Sequence, residues 1–204
     1  MENNNTIINI GRQLGSGGRA IARIVADELG YKFYDKELLN LAARESGFSE
    51  KFFEENDEHK GFLRTLFQPH APHIAEGSFY QIDFSQEGLF QFQSDAIKKA
   101  ASENSCVFVG RCADYVLRDF SNVTNIFVTA DKAQRMEMVR KRLRCDEETA
   151  CKIICNKENE RASYYNYYTG QRWGNAANYD LCINSSVLGI EGTAKFIMEF
   201  IKSR

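Results

Sequence analysis

Apolar residues recur along this chain at two spacings. Ile7, Ile8 and Ile10 form a short strand-like run, and the stretch 106–109 is apolar at every position. Further strands are expected over 31–34, over 125–129 around Ile126, Phe127 and Val128, and over 179–184 around Leu181, Cys182 and Ile183. Between these runs the spacing lengthens to that of a helix. Ala20, Ile21, Ala22, Ile24, Val25, Ala26 and Leu29 make one such face, with Gly30 placed as a C-terminal cap. Helices are also expected over 36–46, over 50–56 behind a Ser49 cap, over 88–104, after Asp131, over 146–168 and over 190–202. Helical stretches alternating with short β-rich runs predict βαβ units and a parallel sheet. The stretch 106–109 suits a central strand covered on both faces. Residues 59–86 break both rhythms. They hold both prolines and all three histidines. They read as a long loop or a loosely helical insertion, serving as substrate cover or oligomer contact.

The stretch from Ile7 to Arg23 organises the rest. A strand runs into Gly11, Gly15, Ser16, Gly17 and Gly18, and these lead directly into a helix. Glycines let successive backbone N–H groups turn inward, and the helix N-terminus adds partial positive charge. That pattern predicts an anionic phosphate above Gly15–Arg19, against the plainer reading of a glycine-rich turn with no ligand. The strict G-x-x-x-x-G-K-[ST] loop is not met. Gly18 stands at the lysine position and Arg19 at the hydroxyl position. Arg12 and Arg19 are the cations on hand to replace the lysine, but neither can ligate a metal.

Composition narrows the classes. A net charge of −2 over 204 residues gives no global attraction to nucleic acid or to acidic membranes. No apolar run approaches the ~20 residues of a membrane span. The six cysteines form no C-x-x-C pair, and Met1–Asn5 does not read as a secretion signal. A cytoplasmic chain with reduced thiols is therefore expected. His70-x-x-His73 lacks a Cys, Asp or Glu to complete a zinc-like spacing, so no metal ligands are assigned. Length predicts a single domain over 1–204.

Cations then gather in the second half. Arg111 and Asp114 follow the apolar strand at the end where open α/β sheets bind ligands. Arg140 and Arg144, and Lys157 and Arg161, are i,i+4 pairs able to aim two charges at one spot. Tyr164, Tyr165, Tyr167, Tyr168 and Trp173 add an aromatic cluster. Interleaved cations and rings could stack single-stranded nucleic acid. The acidic net charge favours a helical lid closing over phosphates. Cys151 and Cys155 are expected as two buried thiols on that lid.

With these segments placed, the chain resembles the cytidylate kinase-like family of P-loop nucleoside monophosphate kinases. The resemblance rests on GRQLGSGGRAIA at 11–22, GYKFYDKELL at 30–39, VFVGRCADYVL at 107–117 and NERASYYNYYTGQRWGNAANYDLCINSSVLGIEGT at 159–193. It implies a three-layer α/β/α fold with a five-stranded parallel sheet in order 2-3-1-4-5. It places an acceptor-binding insertion at about 46–95 and a lid at about 132–170. By that resemblance Gly11, Gly15, Ser16, Gly17, Gly18 and Arg19 bind the donor phosphates, and Asp35, Arg111 and Asp114 line the acceptor site. Arg12, Arg19, Arg140 and Arg161 would neutralise the transferring phosphoryl group, with Arg144, Lys157 and Arg161 on the lid. ATP is the implied donor, with Mg2+ held by Asp35, Asp114 or water in place of the absent hydroxyl. The implied partners are a nucleotide and a small phosphorylated acceptor, without nucleic acid or membrane, and a homo-oligomer contact through the aromatic stretch 59–92. Two functions follow: a phosphotransferase acting on a nucleoside monophosphate or similar acceptor, or a catalytically silent nucleotide-binding module.

Overall fold

The computed structural model describes residues 5–35 and 79–204, with the backbone course alone for 79–86. The helices expected over 36–46 and 50–56, both prolines and all three histidines lie outside the described residues.

Strand β1 (Ile7–Arg12) leads through the glycine turn into helix α1 (Gly18–Leu29), and β2 (Lys32–Tyr34) follows. Helix α2 (Phe79–Glu103) precedes β3 (Cys106–Val109), the short α3 (Ala113–Val116) and β4 (Val123–Thr129). Helices α4 (Lys132–Leu143) and α5 (Glu147–Thr169) form a hairpin, and β5 (Leu181–Asn184) and α6 (Ser185–Lys202) close the chain. The five strands are parallel in the order β2-β3-β1-β4-β5, as expected.

Alternation along the central strands builds two cores. Ile8, Ile10, Val107, Val109, Ile126 and Val128 face α1 and α6, where Ile21, Val25 and Ile197 meet them. Ile7, Cys106 and Phe108 face the other way, onto Ile97 of α2 and Leu117 beyond α3. Each isoleucine taken fully out of water contributes on the order of 2 kcal/mol. β1 lies at the centre, so its C-terminal end and the glycine turn sit at the mouth of the sheet.

A third cluster lies within the hairpin. Val139 of α4 packs on Ala150 and Ile154 of α5, and Leu14 of the glycine turn completes it beside Met136, Cys145 and Ile153.

Three sequence expectations need correction. Helix α2 starts at Phe79, not at 88. Residues 79–87 carry no proline or glycine, and Gly88 is tolerated inside the helix at a cost near 1 kcal/mol. The last helix starts at Ser185, five residues earlier than expected, because Asn184 caps it by accepting from the Ser186 N–H. Gly189, at φ 70°, joins that first turn to the rest across a kink. Cys151 and Cys155 are exposed. The inner face of α5 is set instead by Ala150, Ile154, Tyr165 and Thr169.

Candidate functional site

The glycine turn is pinned on three sides. Gly15 and Gly17 adopt φ of 82° and 73°, which glycine alone takes without strain. The Ser16 hydroxyl donates to the Gln13 carbonyl at 2.9 Å, and the Ser16 carbonyl accepts from Ser185 Oγ at 2.7 Å. The same Ser185 hydroxyl lies 3.0 Å from the Thr129 carbonyl, so the first turn of α6 bridges the glycine turn to the end of β4. Gly15 lies directly beneath α4, where a Cβ would stand 2.6 Å from the Arg135 carbonyl oxygen. The turn is thus held between α4 and the first turn of α6, and it leads directly into the N-terminus of α1.

Arg12 is the central cation. Its side chain leaves β1 and crosses Gly18, where an added Cβ would lie 2.6 Å from Arg12 Cβ. It ends against Gly110, where an added Cβ would collide with Arg12 Nη1. Burial, then the charges of Arg161 and Arg111, push the Arg12 guanidinium down to about 9, with Asp35 partly offsetting them. Among the described residues Arg12 has no hydrogen-bond or ion-pair partner for its side chain. Arg161 of α5 donates from Nη1 to the Arg12 carbonyl at 2.9 Å, and its own pKa is lowered chiefly by burial.

Arg111 follows β3 in an unusual backbone. Gly110, Arg111 and Cys112 all have positive φ, of 73°, 61° and 55°. Two successive non-glycine residues in this region store strain that the surroundings must hold, a feature concentrated at functional sites. The Arg111 guanidinium carbon lies 5.2 Å from the centroid of the Tyr164 ring, a cation–π distance. The buried Cys112 thiol is pushed up to about 12 by desolvation.

Two carboxylates complete the site. Asp35 is buried, and Oδ2 accepts from Arg19 Nε and Nη2 at 2.9 and 2.6 Å. Arg19 is therefore drawn toward Asp35, with its own side chain 60% exposed. Asp114 opens α3, and burial raises its pKa even though the Tyr165 hydroxyl donates to it at 2.7 Å. Burial and the nearby Asp114 also raise Tyr165.

The expected cation pairs separate. Arg144 leaves the helix as the C-cap of α4, in left-handed backbone, and both it and Arg140 are exposed. The i,i+4 geometry that would converge them is thus not met. Lys157 turns to Glu160 at 2.8 Å while Arg161 turns inward to Arg12. The aromatic cluster is largely spent on packing. Tyr168 stacks on Phe90 of α2 with centroids 3.9 Å apart, Trp173 sits edge-on to Phe127, and Tyr165 is buried.

Sequence reasoning missed Ser185 and the pair Arg135–Glu158. Arg135 of α4 is buried and bonded through Nη1 to Glu158 of α5, while its Nε has no partner. The available signal was position: Arg135 lies one turn before Val139 on the inward stripe of α4.

Among the described residues, the side chains nominated for magnesium are committed elsewhere and do not form a site for it. Arg19 stands at the hydroxyl position, Ser16 Oγ is committed to the Gln13 carbonyl, and Asp35 and Asp114 are engaged by Arg19 and Tyr165. Among the described residues no three His, Cys, Asp or Glu side chains are grouped to hold a metal ion. No helix among them is long and apolar enough to cross a membrane.

Comparison with known proteins bears on the family and the fold. A model described as the cytidylate kinase-like family matches residues 7–187. A crystal structure of an uncharacterized protein from Eubacterium ventriosum is 27% identical, with a TM-score of 0.75 over 98% of this chain and 100% of that one. Shikimate kinase from Bacteroides thetaiotaomicron shares the fold at 12% identity, with a TM-score of 0.53 over 97% of this chain and 98% of that one. TT1252 from Thermus thermophilus does so at 15%, with a TM-score of 0.55 over 96% of this chain and 97% of that one. No curated protein matches the sequence.

Proposed function

The chain belongs to the cytidylate kinase-like family, and from that premise we propose that it is an ATP-dependent phosphotransferase acting on a nucleoside monophosphate or a similar small phosphorylated acceptor. One observation carries the reading. The charges of Arg111 and Arg161 act on the half-buried Arg12 and, with its desolvation, depress its pKa, while Arg12 has no acidic side chain bonded to it among the described residues. Like charges gathered in a half-buried site are unfavourable unless an anion joins them. A polyphosphate beside the glycine turn supplies that anion.

In this reading the turn and the α1 N-terminus hold the donor phosphates, with Gly11, Gly15, Ser16, Gly17 and Gly18 supplying close backbone approach. An acceptor phosphate oxygen attacks the γ-phosphorus. The new O–P bond forms as the bond to the β,γ-bridging oxygen breaks, and ADP leaves with that electron pair. A phosphate oxygen at pH 7 is already deprotonated, so no base is required. Arg12 and Arg161 offset charge on the equatorial oxygens, and Arg111, Asp35 and Asp114 orient the acceptor. Catalysis of this kind is positioning and electrostatics, with little covalent chemistry from the protein. The α4–α5 hairpin over the turn limits water there. No step is routed through a protein-held metal.

The second reading is a silent nucleotide-binding module. Gly18 at the lysine position, and Arg19 drawn to Asp35, favour it. Incubation with ATP, magnesium and a panel of nucleoside monophosphates, followed by product analysis, separates the two. Phosphate transfer to an acceptor supports the kinase. Calorimetric ATP binding without transfer to any acceptor selects the silent module, and absence of both overturns each reading.

A further inference from the structure

We infer that the phosphate-reaching cation of this chain has moved from the first turn of α1 to the end of β1, so that Arg12 does the lysine's work and Gly18 is a glycine because the Arg12 side chain runs across it. The inference rests on the proposed nucleotide site and adds which residue fills the lysine's role and why the lysine cannot return alone.

The geometry is specific. A Cβ at position 18 would approach Arg12 Cβ to 2.6 Å and Arg12 Cγ to 3.1 Å. Real Cβ atoms do not come that close, so any side chain at 18 must displace Arg12. At the other end, a Cβ on Gly110 would collide with Arg12 Nη1, and Gly110 already has φ 73°. The side chain therefore lies in a slot with a glycine at each end. The backbone of Arg12 is also held, since its carbonyl accepts from Arg161. The other candidate cation is engaged elsewhere, because Arg19 bonds the buried Asp35 through two nitrogens.

Arg12 also has the electrostatic profile of a ligand-seeking group. It is partly desolvated, it faces Arg161 and Arg111, and its side chain has no hydrogen-bond or ion-pair partner among the described residues. A half-buried arginine that serves only structure normally meets a carboxylate. An arginine fork is also suited to two phosphate oxygens at once, which a lysine is not.

The test is a relocation experiment. ATP and inorganic tripolyphosphate binding are measured by calorimetry on the wild type, Arg12→Ala, Gly18→Lys and the double variant Arg12→Gly/Gly18→Lys, in which the Cβ that a side chain at 18 would strike is also gone, with folding followed by circular dichroism. Arg12→Ala is expected to lose tenfold or more in affinity for both ligands, while the melting temperature without ligand stays level or rises. Gly18→Lys alone is expected to lose affinity as well, because two side chains compete for one slot. The double variant is expected to regain at least half of the lost logarithm of affinity. If Arg12→Ala binds both ligands as the wild type does, or if a folded double variant binds no better than Arg12→Ala, the relocation is wrong while the nucleotide site stands. If the wild type binds neither ligand, the site and the relocation fall together. Arg12→Gln keeps most of the side-chain volume and serves if the alanine variant does not fold: wild-type affinity in it overturns the inference, and a tenfold loss supports it.

Discussion

Arg161 on the α4–α5 hairpin donates a 2.9 Å hydrogen bond to the carbonyl of Arg12, 149 positions earlier in the chain. The bond ties the second helix of the hairpin to the strand that enters the glycine turn. Arg161 thus positions a backbone and, in the proposed function, also carries charge toward the phosphates. Arg161→Met removes both while keeping apolar volume. Its effect on stability is expected to be small, within about 1 kcal/mol, because the lost hydrogen bond and the lost attraction to Glu158 and Glu160 are offset by the desolvation of the guanidinium that is no longer required. ATP affinity should fall at least tenfold. Chemical denaturation and calorimetry on one preparation check the split, and the opposite pattern would make Arg161 a purely structural residue.

The hairpin depends on a different contact. Arg135 and Glu158 have side chains only 11% and 20% exposed. Removing one partner leaves a charge buried without compensation. Glu158→Gln should therefore cost about 3 kcal/mol in urea denaturation. Glu137→Gln, which breaks the exposed pair with Lys141, should leave the midpoint nearly unchanged.

Asp114 gives a prediction with a pH sign. Burial raises its pKa, so the folded state disfavours the ionised form. The folded chain then binds more protons than the unfolded one between the two pKa values, and stability falls as pH rises through that window. The cost is absent below the unfolded pKa and fully present above the folded one. Asp114→Asn should raise the melting temperature at pH 7 and change it far less near pH 4. Phosphate transfer should drop in the same variant, since the Asn amide cannot supply the charge. A stabilisation equal at both pH values would show that desolvation of the carboxylate is not the cause.

Leu14 tests the link between turn and hairpin. Its side chain sits beside Val139, Ala150 and Ile154. Leu14 is only partly buried, so Leu14→Ala should cost about 1–2 kcal/mol, below the range for a fully buried leucine. The loss should be accompanied by faster hydrogen exchange in both the turn and α4. Faster exchange confined to the turn would show that the two move independently.

The sheet was legible in the sequence because its strands are short apolar runs and a parallel strand buried on both faces leaves few alternatives. The glycine turn was legible because positive φ at Gly15 and Gly17 demands glycine. The site was less so. Sequence spacing treats Arg140 and Arg144 as one helical face, but the helix ends between them, and the left-handed cap at Arg144 breaks the geometry. Periodicity assigned Cys151 and Cys155 inward, whereas α5 turns Ala150 and Ile154 to the hairpin core and leaves both thiols to solvent. Arg135 was lost among neighbouring cations, since charge alone does not announce burial. Ser185 carried no signal at all: its two carbonyl contacts are made to segments more than fifty residues away.

The apolar filling of the hairpin borrows Leu14 from outside it. Grafting residues 132–170 onto an unrelated phosphate-binding scaffold would leave that filling one side chain short. A chimera that also imports the preceding glycine segment is the smallest transplant expected to keep its shape.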